Sequence, residues 1–314
     1  EAIESTVIHK ENFDEPIIIK TVNLLKNGKH FIVEVIAANG AVGYAISNNA
    51  HMVYLYPILG GRIAPLFIDK DARELDNLIE EIYITNSNYK YQGLAFWVSL
   101  ASVEFAVLDL LGKIAQKPVG ELLGGVHNKE IAVYRANNHR GKTAQESVER
   151  IQYAVLESGA KAVKYKIGGR MRKNADFPPG RTEELIPLVR KVLGDEITLY
   201  SDSNGSYDVD NSIRVGRMLE ETNVSFFEEP CRFDHYEETK AVADALDIPI
   251  AGGEQESSMW AFRWLIANGA HQVVQPDVFY FGGMIRSIKV ARMADVVGIP
   301  CTPHISGAGL GYLY

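Results

Sequence analysis

The stretch AVKYKIGG, residues 162–169, reads as a buried β-strand carrying two misplaced charges. Side chains alternate along a strand, so Lys164 and Lys166 share one face while Val163 and Tyr165 share the other. If the strand belongs to a closed barrel, one face is the interior. There, two neighbouring ammonium groups repel each other and lose hydration. The pair is worth keeping only if something compensates it.

Outward from this stretch the chain has a regular rhythm. From Glu130 onward, seven short β-branched runs alternate with six amphipathic helical segments, from EIAVYRA through AVKYKIG, EITLYSDSN, VSFFEEP, IPIAGGEQ and HQVVQPD to IPCTPHIS. That alternation implies a parallel α/β arrangement, either an open doubly wound sheet or a closed barrel. No glycine-rich phosphate fingerprint follows the first run, which removes support for a dinucleotide fold. Polar residues then decide between the two. Lys164 and Lys166 end the second run, Asp202 and Asn204 the third, and Glu228 the fourth. Glu254, Asp277 and His304 end the fifth, sixth and seventh. An open sheet concentrates such groups at one crevice, whereas a (β/α) barrel carries them around its C-terminal rim.

The preceding part, residues 1–125, is of a different kind. HFIVEVIAANGAVGYAIS, residues 30–47, is two strands around a turn at Asn39-Gly40, the strongest short hairpin signal. Helical segments follow, beginning with DARELDNLIEEIY. The apolar stretch GLAFWVSLASVEFAVLDLL, residues 93–111, contains Glu104 and Asp109 and lacks the unbroken apolar length of a membrane span, so it reads as a buried helix. The expected division is an α+β domain over 1–125 and a barrel domain over 126–314.

Composition is ordinary for a globular protein, and the length suffices for one large α/β domain plus a smaller one. The 314 residues are 46% hydrophobic and 23% charged, with 40 acidic and 32 basic side chains and a net charge of −8. No basic run appears, which argues against nucleic acid or an anionic membrane as partner. Two cysteines are too few for a disulfide framework, so a reducing, cytoplasmic setting is the default. No signal-peptide pattern is present in the chain, which begins at Glu1.

The rim residues imply a chemistry. Asp202, Glu228 and Glu254 lie on three consecutive runs, each 26 residues from the next, which sets three carboxylates side by side. Three such anions are unfavourable together unless a cation joins them. An all-oxygen set selects a hard ion, Mg²⁺ ahead of Mn²⁺ or Ca²⁺. The plainer reading is three unrelated carboxylates, each satisfied by a helix N-terminus or an arginine. With a metal-bound anion beside them, the lysines are compensated. Lys164 can then hold a substrate carboxylate, and Lys166, crowded by Lys164 and the metal, becomes a base near neutral pH. The plainer reading here is a pair of lysines snorkelling to solvent, or one lysine neutralising surplus carboxylates. His304 and Asp277 form a second acid/base, the carboxylate fixing the imidazole tautomer.

These residues resemble the enolase superfamily, specifically its mandelate racemase-like subgroup. The resemblance is carried by KYK, DSN, FFEEP, GGEQ, QPD and TPHISG in that order, and by LDLLGKIAQKPVGELLGG, residues 108–125. It spans nearly the whole chain. It implies an α+β capping domain over a (β/α)₇β TIM-like barrel, with Mg²⁺ held by Asp202, Glu228 and Glu254. It also implies enediolates formed from carboxylate substrates. In one respect the chain departs from that pattern: the subgroup has a glutamate on the eighth strand and a returning C-terminal segment. The last strand is absent before Tyr314, and the expectation is that the given sequence is incomplete.

With bases on both faces of a substrate, one takes the α-proton while the other returns a proton or protonates a departing β-hydroxyl. Dehydration of a sugar acid to a 2-keto-3-deoxy acid is favoured, because RANNHRGK, residues 135–142, supplies polar groups near the mouth. Asn138 and His139, with Asn204, are the expected substrate contacts beside Lys164. Racemisation, epimerisation or cycloisomerisation of a related acid, lactone or anhydro-sugar acid remains the alternative, as does a non-catalytic binding barrel. A homo-oligomer acting on a small-molecule carboxylate is expected. The stretch ISNNAHMVYLYP, residues 46–57, is expected to act as a lid.

Overall fold

A computed structural model describes residues 3–140, 142–306, 311, 312 and 314. The chain divides into two compact units. One comprises Glu1–Lys129, Glu254–Phe262 and Pro276–Tyr314, the other Glu130–Gly253 and Arg263–Gln275.

In the first unit, β1 (Ile19–Asn27), β2 (His30–Ala37) and β3 (Val42–Ile46) form an antiparallel sheet in that order. The expected hairpin at Asn39-Gly40 is present. Gly40 takes φ +84°, its N–H donates to Ala37 O, and Asn39 Oδ1 accepts from Ala41 N at 3.0 Å. β1 is not among the elements the sequence pattern picks out, because most of its residues stay solvent-accessible and only Ile19 is fully buried. β2 alternates cleanly, burying Phe31, Val33, Val35 and Ala37. These pack with the Leu94–Ala115 helix, which is buried along most of its length as its apolar sequence requires. A β-carbon at Gly43 would lie 2.1 Å from Ala106 O, so β3 approaches this helix as closely as only glycine allows. The helix is the one element of the described residues long and apolar enough to cross a membrane, and it is instead the centre of this unit's core.

The second unit is a parallel sheet whose spatial order is its chain order: β4 (Arg135–Asn137), β5 (Ala162–Lys166), β6 (Thr198–Asp202), β7 (Phe226–Glu228), β8 (Ile250–Gly252) and β9 (Val273–Val274). Helices separate the strands, and their starts are written locally. Thr143 and Glu146 make a capping box at the Ala144–Ser158 helix, and Asp208 accepts from Asn211 N at the Val209–Glu221 helix. One face of the sheet, with Val163, Tyr165, Leu199, Phe227 and Ile250, packs on the apolar sides of these helices. The other carries Tyr134, Tyr200, Phe226, Ala251 and Val273.

The parallel strands are shorter than the runs of sequence imply, the first and the seventh among them. The first begins at Arg135 rather than Glu130, and Ile131 and Val133 ahead of it are exposed. The seventh is reduced to isolated bridge positions at Cys301 and His304, the latter paired in parallel with Asp277. Among the described residues the parallel sheet has β4 and β9 as its edges and does not close on itself.

Candidate active site

The pairing register explains why four charged residues meet. Lys166 stands opposite Asp202, and Asp202 opposite Glu228, so one row across β5, β6 and β7 carries all three. Lys164 is two residues earlier on the same face of β5. All four side chains are buried. Lys164 Nζ donates to Glu228 Oε1 at 2.5 Å and lies 3.7 Å from Asp202 Oδ2, while Lys166 Nζ donates to Asp202 Oδ2. The two lysines are thus compensated by direct contact with carboxylates, and Lys164 Nζ also sits 5.3 Å from the Tyr134 ring centroid.

Burial and charge act in opposite directions here. Burial alone would push the Lys164 ammonium down, but Glu228 and Asp202 hold it well above the usual lysine value. Burial alone would push Asp202 up, and the adjacent Lys166 and Lys164 hold it below the usual carboxylate range. Deleting one partner of such a buried pair strands the other, at a cost of about 3–5 kcal/mol.

Neutral and basic side chains brace the row. Asn204, at φ +45°, donates its amide N–H₂ to Asp202 Oδ2 at 3.2 Å and Glu229 Oε2 at 3.1 Å, and accepts from Arg140 Nη2 at 2.9 Å. Its backbone N–H donates to Asp202 Oδ1 at 2.7 Å. The amide is therefore engaged on both ends, holding carboxylates rather than facing outward. Arg140 also reaches Ile167 O, Gly168 O and Asp202 O, tying together the ends of β5 and β6. Gln275 donates from Nε2 to Glu228 Oε2 at 3.1 Å. Asn138 and His139 are exposed and line a separate open cavity of about 910 Å³ with Glu146, Arg150 and Tyr153, to which none of the four charged residues contributes. His139 is pushed down from the usual histidine value by burial and by Arg150 and Lys142.

The first unit holds the second group of rim residues. His304 Nδ1 and Asp277 Oδ2 are 2.6 Å apart, and His304 Nε2 lies 3.3 Å from Glu254 Oε2. Asp277 Oδ1 accepts from Phe279 N, Tyr280 N and Ser306 Oγ, which fixes the carboxylate and through it the imidazole. Ser306 Oγ accepts in turn from Asn48 Nδ2 at 3.0 Å. The expected Asp–His dyad is formed. Glu254 stands beside His304, and no three His, Cys, Asp or Glu side chains among the described residues gather closely enough to hold a metal. Gly307, the last residue of the TPHISG motif, lies outside the described residues.

Sequence reasoning did not single out Asn48, Gln275 or Ser306. For the last two a signal existed: Gln275 and Ser306 each stand two residues from a dyad member, the spacing that puts side chains on one face of an extended chain. Asn48 acts over 258 residues of sequence separation, which no local pattern reports.

Comparison with known proteins adds four observations. A family model described as enolase C-terminal domain-like matches residues 146–314. The arabinonate dehydratase of Saccharolobus solfataricus is 29% identical over 285 residues, covering 89% of this chain and 73% of that protein. The L-talarate/galactarate dehydratase of Salmonella typhimurium is 28% identical over 279 residues, covering 88% and 67%. Among solved structures, a mandelate racemase/muconate lactonizing protein from Paracoccus denitrificans complexed with magnesium superposes with a TM-score of 0.83. It is 27% identical, with 92% of this chain and 78% of that one covered.

Proposed function

Because the chain belongs to the enolase superfamily, in its mandelate racemase-like subgroup, we propose that it dehydrates a sugar acid to a 2-keto-3-deoxy acid. The observation that carries this reading is the row in which Lys164 and Lys166 share a buried face with Asp202 and Glu228. Similarity to two dehydratases of sugar acids supports the substrate class.

The donor set suits a hard divalent cation. Lys164 Nζ already places one positive charge against both Glu228 Oε1 and Asp202 Oδ2, so these two oxygens can share a cation. Asp202 and Glu228, with Glu254 as the third, would hold Mg²⁺ or, in its place, Mn²⁺. The ion would act as a Lewis acid toward the negative charge that builds on the substrate carboxylate. Similarity to a protein solved with magnesium supports that choice.

The chain's own residues then divide the remaining tasks. Lys164 pairs with the substrate carboxylate. Lys166 Nζ, as the free amine, takes the proton from the carbon α to it and becomes the ammonium that faces Asp202, while the electron pair left behind spreads into the carboxylate as an enediolate. His304, oriented by Asp277, delivers a proton from Nε2 to the β-hydroxyl as its C–O bond breaks. Water leaves, and the resulting enol rearranges to the keto acid. Returning the proton to the α-carbon instead gives racemisation or epimerisation, and ring opening of a lactone gives cycloisomerisation. The same two bases serve these alternatives. We place the enzyme in the cytoplasm as a homo-oligomer acting on a free small-molecule acid; both of its cysteines are unpaired.

The test is incubation with Mg²⁺ in D₂O against a panel of aldonic and aldaric acids. Dehydration predicts a keto product, trapped as a semicarbazone, with one deuterium at C3. Deuterium at C2 with the hydroxyl retained would replace the lyase reading with the isomerase one.

A further inference from the structure

Gln275 follows β9, and its backbone N–H donates to Gly252 O at 2.9 Å, so it continues the pairing of β9 with β8. Glu228 stands opposite Ala251, and Ala251 opposite Val273. Two residues beyond Val273, Gln275 lies on the same face as Glu228. The strand between them presents only Ala251 and Gly252 at this level, which leaves room for a long amide to cross it. The side chain makes that crossing. It is 1% exposed and donates from Nε2 to Glu228 Oε2.

The orientation of this amide follows from chemistry. An ionised carboxylate has only acceptors, so the N–H₂ end must face Glu228. The carbonyl end, Oε1, is buried and has no hydrogen-bond partner among the described residues. A hydroxyl could have satisfied Glu228 without leaving a second buried polar atom unmade. Meanwhile Glu228 Oε1 faces Lys164 and, beyond that ammonium, Asp202 Oδ2. The two oxygens of Glu228 are thereby distinguished: one is held by Gln275, and the other is turned toward the second carboxylate.

We infer that Gln275 is a positioning residue for Glu228 as a cation ligand, locking the carboxylate so that Oε1 remains the ligating oxygen. This rests on the reading above, in which Asp202 and Glu228 hold the divalent ion. Gln275 itself does not touch the substrate or the ion. Without its N–H₂ the carboxylate rotates about its last bond, and the donor pair facing the ion loses its preorganisation.

The experiment is Mn²⁺ binding to the whole chain, read from the electron paramagnetic resonance signal of free ion, for wild type, Glu228→Gln and Gln275→Met. Methionine keeps the volume and removes the donor. The expected result is Mn²⁺ binding by wild type, its loss in Glu228→Gln, and a Kd raised about 10- to 100-fold in Gln275→Met. Circular dichroism is expected to stay unchanged. Gln275→Asn, too short to reach Glu228, should show the same rise and serves if Gln275→Met does not fold. A Kd within twofold of wild type in either folded variant, with Glu228→Gln non-binding, overturns the role of Gln275 alone. No Mn²⁺ binding by wild type overturns the metal reading together with it.

Discussion

Glu104 and Asp202 are both completely buried, yet they are pushed in opposite directions. Glu104, in the Leu94–Ala115 helix, accepts from Met284 N at 2.8 Å and Ile285 N at 3.0 Å at the start of the Met284–Val296 helix. Its carboxyl is raised to about 8, because burial outweighs these two hydrogen bonds. The nearby cation, Arg286, stacks 3.6 Å from the Trp97 ring centroid and donates to Phe281 O and Ser257 O instead. Asp202 has Lys166 and Lys164 in contact and is held below the usual range. Burial does not by itself set the charge of an acid; a bonded cation does. A core acid is kept neutral in one unit, while in the other an acid is kept ionised by the cations bonded to it.

The largest effect should come from breaking the charged row. Asp202→Asn removes the acceptor of Lys166, and we expect a loss of about 3–5 kcal/mol in denaturant unfolding, as for any buried pair stripped of one member. Divalent-ion affinity should fall by more than the roughly 100-fold expected for a supporting residue. A stable, metal-binding Asp202→Asn would contradict both the contribution of the ion pair and the role of Asp202 as a ligand.

Next is the acid without a cation. Its folded-state value lies above its unfolded one, so the stabilisation it confers is complete at low pH and is lost as pH rises through about 8. Wild type should therefore lose on the order of 2 kcal/mol between pH 6 and pH 8 that Glu104→Gln does not lose. Parallel stability curves for the two proteins would place an unrecognised cation beside Glu104. The replacement must stay isosteric, because the site is tight: a β-carbon on Gly283, at φ +115°, would lie 1.4 Å from Glu104 Oε2.

The smallest effect is the exposed counterpart. Lys240 and Asp244 form an ion pair at i, i+4 on the surface of the Tyr236–Ala245 helix. Lys240→Ala should change stability by no more than about 0.5 kcal/mol, and by less at high salt. A larger change would mean that exposure, too, fails to predict what a charge contributes.

The same contrast governs what the sequence discloses. Period-two alternation shows that Lys164 and Lys166 share a face, and strand order follows from the βα rhythm, so the lysine–carboxylate row is legible in the order and spacing of its residues. The Asn39-Gly40 hairpin is legible for a local reason, since its turn needs a residue at φ +84°. What stays hidden depends on side-chain reach. Asn204 lies beside the predicted rim, but its φ of +45° and the Arg140 guanidinium turn its amide inward onto Asp202 and Glu229. The crossing of Gln275 over Ala251 and Gly252, and the link from Asn48 through Ser306 to Asp277, are set by packing across distant segments. Strand length is equally non-local: IPCTPHIS has strand composition, but of it only Cys301 and His304 take part in bridges, His304 with Asp277.

The most direct test of the central claim is exchange of the α-proton of sugar acids into D₂O, followed by NMR with Mg²⁺ present and after its removal by chelation. The account predicts loss of the α-proton signal of at least one acid with Mg²⁺, none after chelation, and recovery when the ion is restored. Retention of the α-proton by every acid in the panel, with the ion bound and the protein folded, would contradict it.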